Sequence, residues 1–350
     1  MGSIAVGRDT FRTAYPITSR TSRAGWILGA MAVGLALLIV FSIVFGRYPI
    51  PLSAWLDLLL GRTRSGDAAL VLLEIRLPRI LACLLIGGGL SVSGATYQGL
   101  FRNPMVSPDI LGASAGAGFG AALGILLARG IVEIQLLSFL FSVGAVGMVW
   151  LLSTRVRGRD PVLMLVLIGI LVGSVFTALL SLLKYISDPN SKLPEITFWL
   201  MGSLAAINPK DIWFISAPIL AGLIPLLLLR WRLNILSFGE EEARALGVNT
   251  GRQRLIIIVC STLITAASVS VAGMIGWVGL VVPHLGRLLV GPNHRVLLPA
   301  SLLLGSGYLL LVDDVARGVH TTEIPLGILT SLVGAPFFLY FLLRRARGEV

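Results

Sequence analysis

Charge is what this sequence lacks most. Only 13% of its 350 residues are charged, about half the share of a soluble domain, so a wetted globular surface cannot be built from them. Lysine is scarcer still: Lys184, Lys192 and Lys210 are the whole set. None of the three follows a glycine, which excludes a GxxxxGK[ST] phosphate loop. The two cysteines, Cys83 and Cys260, sit in separate apolar runs with no CxxC partner, so a disulfide framework or thiolate metal site is excluded. The histidines, His284, His294 and His320, have no HExxH spacing, and an embedded metalloprotease goes unsupported. No metal ligand set is expected. His284 reads as an interfacial histidine, and His320 as a candidate contact for an arriving metal chelate.

Apolar residues fill the gap. They make up 56% of the chain, mean hydropathy is +0.91, and the 40 Gly and 17 Pro fall inside long apolar runs, where membrane helices tolerate them. The chain therefore reads as an all-α polytopic membrane protein. Crossing the bilayer takes about 20 apolar residues, and ten such runs occur: 25–46, 77–100, 109–128, 132–153, 162–184, 212–230, 253–273, 275–291, 297–313 and 325–343. Gly276, Gly279 and Pro283 interrupt the eighth, which is expected to be short or partly unwound. Residues 1–24 read as a retained cytoplasmic tail, 25–343 as the membrane domain with a cytoplasmic loop at 231–254, and 344–350 as a cytoplasmic tail.

The net charge of +11 follows topology rather than nucleic acid. With the N-terminal tail placed inside, 18 of the 28 basic residues lie on that side, among them Arg8, Arg12, Arg20, Arg23, Arg157, Arg159 and Arg347. The outer side, which holds Arg47, Arg62 and Arg64, balances to zero. By the positive-inside rule both termini are cytoplasmic, and an inner-membrane location is expected. Ser91–Gly94 in the second run resembles Ser270–Gly273 in the seventh, and five spans separate them, which suggests two inverted five-helix halves.

Four local features stand out. Gly112, Gly116, Gly120 and Gly124 place small residues on one helical face, suited to close helix packing or to lining a pathway. Asp313 and Asp314 end the ninth run, where Arg317 can pair with them; no span carries the mid-membrane acid that a proton-coupled carrier wants. The run Ile196–Leu204 is too short to span and suits a surface or re-entrant helix. Finally, 231–254 reads as two short amphipathic helices. The second opens with Glu240, Glu241 and Glu242, where a helix dipole favours negative charge, and stops at Gly247. An acidic helix on an arginine-rich face suggests a docking element.

These residues resemble a known family. The blocks RLPR (76–79), SGATYQGLFRNPMVSPDILG (93–112), ITFWLMGSL (196–204), EEARALGV (241–248), WVGLVVPHLGR (277–287), HRVLLPAS (294–301) and IPLGILTSLVGAPFF (324–338) are similar, in order, to the FecCD/BtuC permeases of ABC importers for iron-siderophores, haem and cobalamin. The resemblance implies a BtuC-like, type II importer fold and a homodimer with the pathway at its two-fold interface. It also implies two cytosolic ATP-binding subunits, which carry the ATP-Mg, and one periplasmic binding protein. The chain itself is expected to bind no cofactor and to perform no catalysis. Glu241, Glu242, Ala243, Arg244, Leu246 and Gly247 match the family's coupling helix. Asn103, Pro104 and Met105 match its cytoplasmic gate, with methionine where leucine is usual. Arg76, Arg79 and Arg317 match arginines that meet carboxylates on the binding protein. An iron chelate, haem or ferric siderophore, is expected ahead of cobalamin, with molybdate-type cargo left open. A proton- or sodium-coupled carrier and an embedded enzyme are the rival readings.

Overall fold

A computed structural model describes residues 17–46, 48, 66–156, 161–319 and 322–346. Arg8, Arg12, Arg47, Arg62, Arg64, Arg157, Arg159, His320 and Arg347 lie outside this set. The described residues form helices and connecting turns, without strands. In chain order the helices are α1 (Ile17–Val44), α2 (Leu77–Leu100), α3 (Ala113–Leu126), α4 (Ile131–Arg155), α5 (Pro161–Ile186), α6 (Lys192–Met201) and α7 (Pro209–Leu228). They continue with α8 (Arg230–Leu236), α9 (Glu240–Ala245), α10 (Thr250–Ala272), α11 (Val278–Val290), α12 (His294–Gly318) and α13 (Leu326–Ala346). A helical turn Asp67–Leu70 and a π-helical stretch Val71–Arg76 lead into α2.

Each of the ten apolar runs holds a helix. Six of these are long and apolar enough to cross a membrane, three more are shorter apolar helices, and α2 has 24 residues. Their boundaries follow local chemistry. Asn208, Asn249 and Asn293 accept the first free backbone N–H groups of α7, α10 and α12, as good N-caps do. The first helix begins at Ile17 rather than at 25. The third begins later than its apolar run, because Pro108 opens a 3-10 turn (Pro108–Leu111) and Gly112 follows with φ 79°. That left-handed conformation suits glycine. Gly112 is therefore a cap packed near Gly173, and only Gly116, Gly120 and Gly124 share the helical face. The eighth run is short, as its breakers suggested: residues 273–277 are unwound and α11 has 13 residues.

The interior is made of α2, α10, α11 and α12. Within the apolar stretch of α10, 72% of residues are buried, against 6% for α1, so α1 lies at the rim. The central helices touch backbone to backbone. A Cβ on Gly94 would lie 1.8 Å from the Gly279 carbonyl oxygen, and Cβ atoms on Gly87 and Gly305 would each lie 2.3 Å from the other's carbonyl oxygen. Likewise a Cβ on Gly116 or Gly120 would lie 2.5 or 2.4 Å from the carbonyl oxygen of Phe141 or Leu137 on α4, and one on Gly124 would lie 3.0 Å from Ile134. This glycine face packs the bundle and does not line an open space. We expect Gly94→Val to abolish the monodisperse peak of the purified protein on size exclusion, since overpacking costs about 1–3 kcal/mol or more. Gly29→Val, with nothing within 4 Å, should leave that peak unchanged.

The contacts come in matching pairs. α2 packs on α12 as α10 packs on α4; α3 packs on α4 as α11 packs on α12; α2 meets α11 as α10 meets α3. In both halves a long helix of 24 or 23 residues breaks into a short one of 14 or 13. Five crossings separate the paired helices, so the halves run in opposite directions. The Ser91–Gly94 and Ser270–Gly273 echo does not mark equivalent places: Gly94 is mid-helix, whereas Gly273 ends α10 with φ 69°.

Candidate functional site

At one end of the bundle, α8 and α9 form a compact projection. Gly247 closes α9 with φ 78°. Its N–H bonds the Arg244 carbonyl at 2.9 Å, and the Val248 N–H bonds the Ala243 carbonyl at 2.9 Å. This is the Schellman pattern that stops a helix sharply. Ala243 is fully buried and forms the inward face. Glu240 is held by Arg254 and by Arg244, the latter at 3.2 Å, while Arg244 also donates to the Thr250 hydroxyl. Glu241, Glu242 and Gly247 are exposed. So are Phe238 and Leu246, at 71% and 66%. The result is a fixed acidic knob flanked by two bare apolar side chains, on a base pinned by ion pairs.

Next to it lies the turn after α2. Arg102 takes φ 48°, its N–H bonding the Gly99 carbonyl, while the Asn103 N–H bonds the Gln98 carbonyl. The Asn103 side chain then accepts the Met105 N–H at 2.9 Å, an Asx turn that carries the chain through Pro104. Met105 is 52% exposed at its tip. Beneath the turn, buried Gln98 donates to the carbonyls of Val106, Gly279 and Leu280 at 3.2–3.4 Å and accepts from Arg287 at 2.6 Å. Gln98 and Arg287 thus tie the turn to α11. Sequence reasoning missed both, since nothing in their local spacing signals a contact 189 positions away.

At the opposite end, the three expected docking arginines are turned inward. Arg79 reaches both Asp313 oxygens at 2.8 Å and both Glu323 oxygens at 2.8–2.9 Å. Arg317 pairs with Asp314 and donates to the Ser42 carbonyl and hydroxyl at 2.8 and 2.7 Å. Arg76 donates to the carbonyls of Ile43, Val44 and Tyr48. All three are at most 8% exposed. In this conformation they clamp the end of α1 to α2 and α12, each guanidinium bonded to groups of this chain. The pairing of Arg317 with Asp313 and Asp314 is as the spacing suggested. His284 is buried, its ring against Phe341. Among the described residues no group of three His, Cys, Asp or Glu is placed to hold a metal.

A groove of about 570 Å³ runs along α5, bounded by Asp109, Gly112, Gly169, Ser174, Thr177 and Ser181. The three hydroxyls are exposed and each bonds the carbonyl four residues earlier, which satisfies them along an otherwise apolar helix.

Residues 34–344 match the family model described as the FecCD transport family. The chain belongs to the FecCD family. It is the permease subunit of an ABC importer, a multi-pass transport component of a system that includes ATPase and substrate-binding partners. Among FecCD relatives, the molybdate import system permease protein MolB of Haemophilus influenzae is 42% identical, over 92% of this chain and 96% of its own. A probable iron chelatin transport system permease protein of Helicobacter pylori strain 26695 is 39% identical, over 91% and 98%. A solved inward-facing ABC transporter, described as of metal-chelate type, superposes with a TM-score of 0.83 at 42% identity, covering 91% of this chain and 99% of that one. The BtuC-like helical fold is thereby shown. A proton- or sodium-coupled carrier and an embedded enzyme both give way to the ABC importer permease.

Proposed function

We propose that this permease works as a homodimer in the inner membrane, with both termini cytoplasmic, and carries an iron chelate, haem or ferric siderophore, inward. The observation that carries the reading is the projection at Phe238–Val248. Glu241, Glu242, Phe238 and Leu246 present an exposed acidic and apolar face on a base fixed by Arg254 and Arg244. A rigid element of this kind seats in a cleft of a partner and transmits its displacement, where a flexible loop would absorb it. Two cytosolic ATPase subunits holding ATP-Mg occupy this face, and a periplasmic binding protein delivers cargo at the other end.

The pathway lies between the two copies. The α5 groove supports that placement: its lining is broad and weakly polar. Asn103, Pro104 and Met105 close the inner end. The groove's breadth and the likeness to an iron chelatin permease favour a bulky chelate, with cobalamin behind. Molybdate is the second reading, favoured by the likeness to MolB.

The test is ATP-driven uptake in proteoliposomes containing the permease, its ATPase and its binding protein, offered haem, a ferric siderophore, cobalamin and molybdate in turn. Uptake of haem or a ferric siderophore alone supports the first reading. Uptake of molybdate alone replaces it with the second.

A further inference from the structure

We infer that Asn234 and His294 form the joint through which the ATPase-facing projection moves the gate turn. This positioning role rests on the reading above. The projecting helix α9 touches α8 and α10, and α8 in turn touches α2, α7 and α12. A push on α9 therefore reaches the end of α2 through α8, and the junction of α8 with α12 is unusually well tied. The Asn234 side-chain oxygen accepts the His294 backbone N–H at 2.8 Å and lies 3.1 Å from its ring Nδ1. The Asn234 amide donates to the Asn293 side-chain oxygen at 2.8 Å, the same oxygen that caps α12 by accepting the Arg295 N–H. Arg230 donates to the Arg295 carbonyl at 3.3 Å, and the Arg295 guanidinium sits 5.9 Å from the centre of the Trp231 ring.

The far edge of the same imidazole faces α2. His294 is 5% exposed, and a Cβ on Gly99 would stand 2.6 Å from its Nε2. Gly99 supplies the carbonyl that accepts the Arg102 N–H, and its neighbour Gln98 supplies the one that accepts the Asn103 N–H. One planar, buried ring thus spans the distance from α8 to the peptide groups that set the gate turn. A ring has no internal torsions, so displacement at Asn234 arrives at Gly99 without being absorbed. Gly99 is small for the same reason: any side chain there would displace the ring.

The experiment uses the complete complex of permease and ATPase in lipid nanodiscs, with ATP and vanadate as the trigger and no cargo. An environment-sensitive fluorophore on Met105→Cys reports the gate; both native cysteines are buried. In His294→Ala and Asn234→Ala, ATP hydrolysis should stay within about twofold of the parent while the fluorophore response falls at least about tenfold, the scale of a typical coupling energy. His294→Asn keeps a donor for Asn234 but not the reach to Gly99, and should also lose the response. His294→Gln restores that reach and should recover part of it. An undiminished response in both alanine variants overturns the joint. Glu242→Arg separates the two layers: if it abolishes the response while His294→Ala and Asn234→Ala do not, only the joint fails. If the response survives Glu242→Arg as well, the coupling reading fails with it. Should His294→Ala not assemble, Asn234→Ala decides.

Discussion

Replacing Arg79 with alanine is expected to destabilise the protein by about 3–5 kcal/mol, the usual result of removing one partner from a buried ion pair. The figure follows from what the guanidinium leaves behind. Asp313 is 1% exposed and would keep only Arg317, at 3.8 Å, as a counter-charge. Glu323, at 28% side-chain exposure, can turn to water and contributes less. A carboxylate left buried without its partner has no solvent to fall back on. Thermal unfolding in nanodiscs is the check, and an unchanged transition in Arg79→Ala would sink the clamp. A second substitution makes the argument sharper. Arg79→Met combined with Asp313→Leu removes both charges, so it should recover a good part of the lost stability; additive losses in the pair would mean that the two residues act separately.

The second large effect is functional. Glu242→Arg should reduce ATP-driven uptake by about a hundredfold or more, at the upper end of measured coupling energies, while leaving the permease folded. Glu242 is exposed on α9, so exchanging it disturbs no core contact. It instead reverses the charge that the projection offers to its partner, and like charges at such an interface cost several kcal/mol. The measurement pairs uptake with co-purification of the ATPase. Full uptake with the ATPase still bound would show that the projection is not the coupling surface.

Much of this was legible in the sequence because the membrane imposes a single strong rule. A helix that crosses hydrocarbon must be apolar along its length, so the ten runs announced ten helices. Boundaries were less secure. The start of α3 was missed because residues 109–112 look like part of an apolar run until the turn that Pro108 opens and the φ of Gly112 are known. The acidic opening and glycine stop of α9 were readable because capping is local chemistry. The clamp at Arg79 was half readable: Arg317 lies three and four positions from Asp314 and Asp313, but Arg79 meets Asp313 across 234 positions. Gln98 with Arg287, and Asn234 with His294, were invisible for the same reason. Tertiary pairs leave no mark on spacing, and a buried glutamine or histidine reads like any other polar residue in a helix.

The glycine contacts between helices constrain how the molecule can move. Ordinary helix pairs slide by letting side chains change rotamer at the contact. Where Gly94 meets the backbone at Gly279, and Gly87 meets that at Gly305, no such lubricant exists. α2, α11 and α12 must then tilt together as one block. A transport cycle built on such a block has few degrees of freedom, and its two end states should be distinct positions of the same solid piece rather than a continuum of partly open forms.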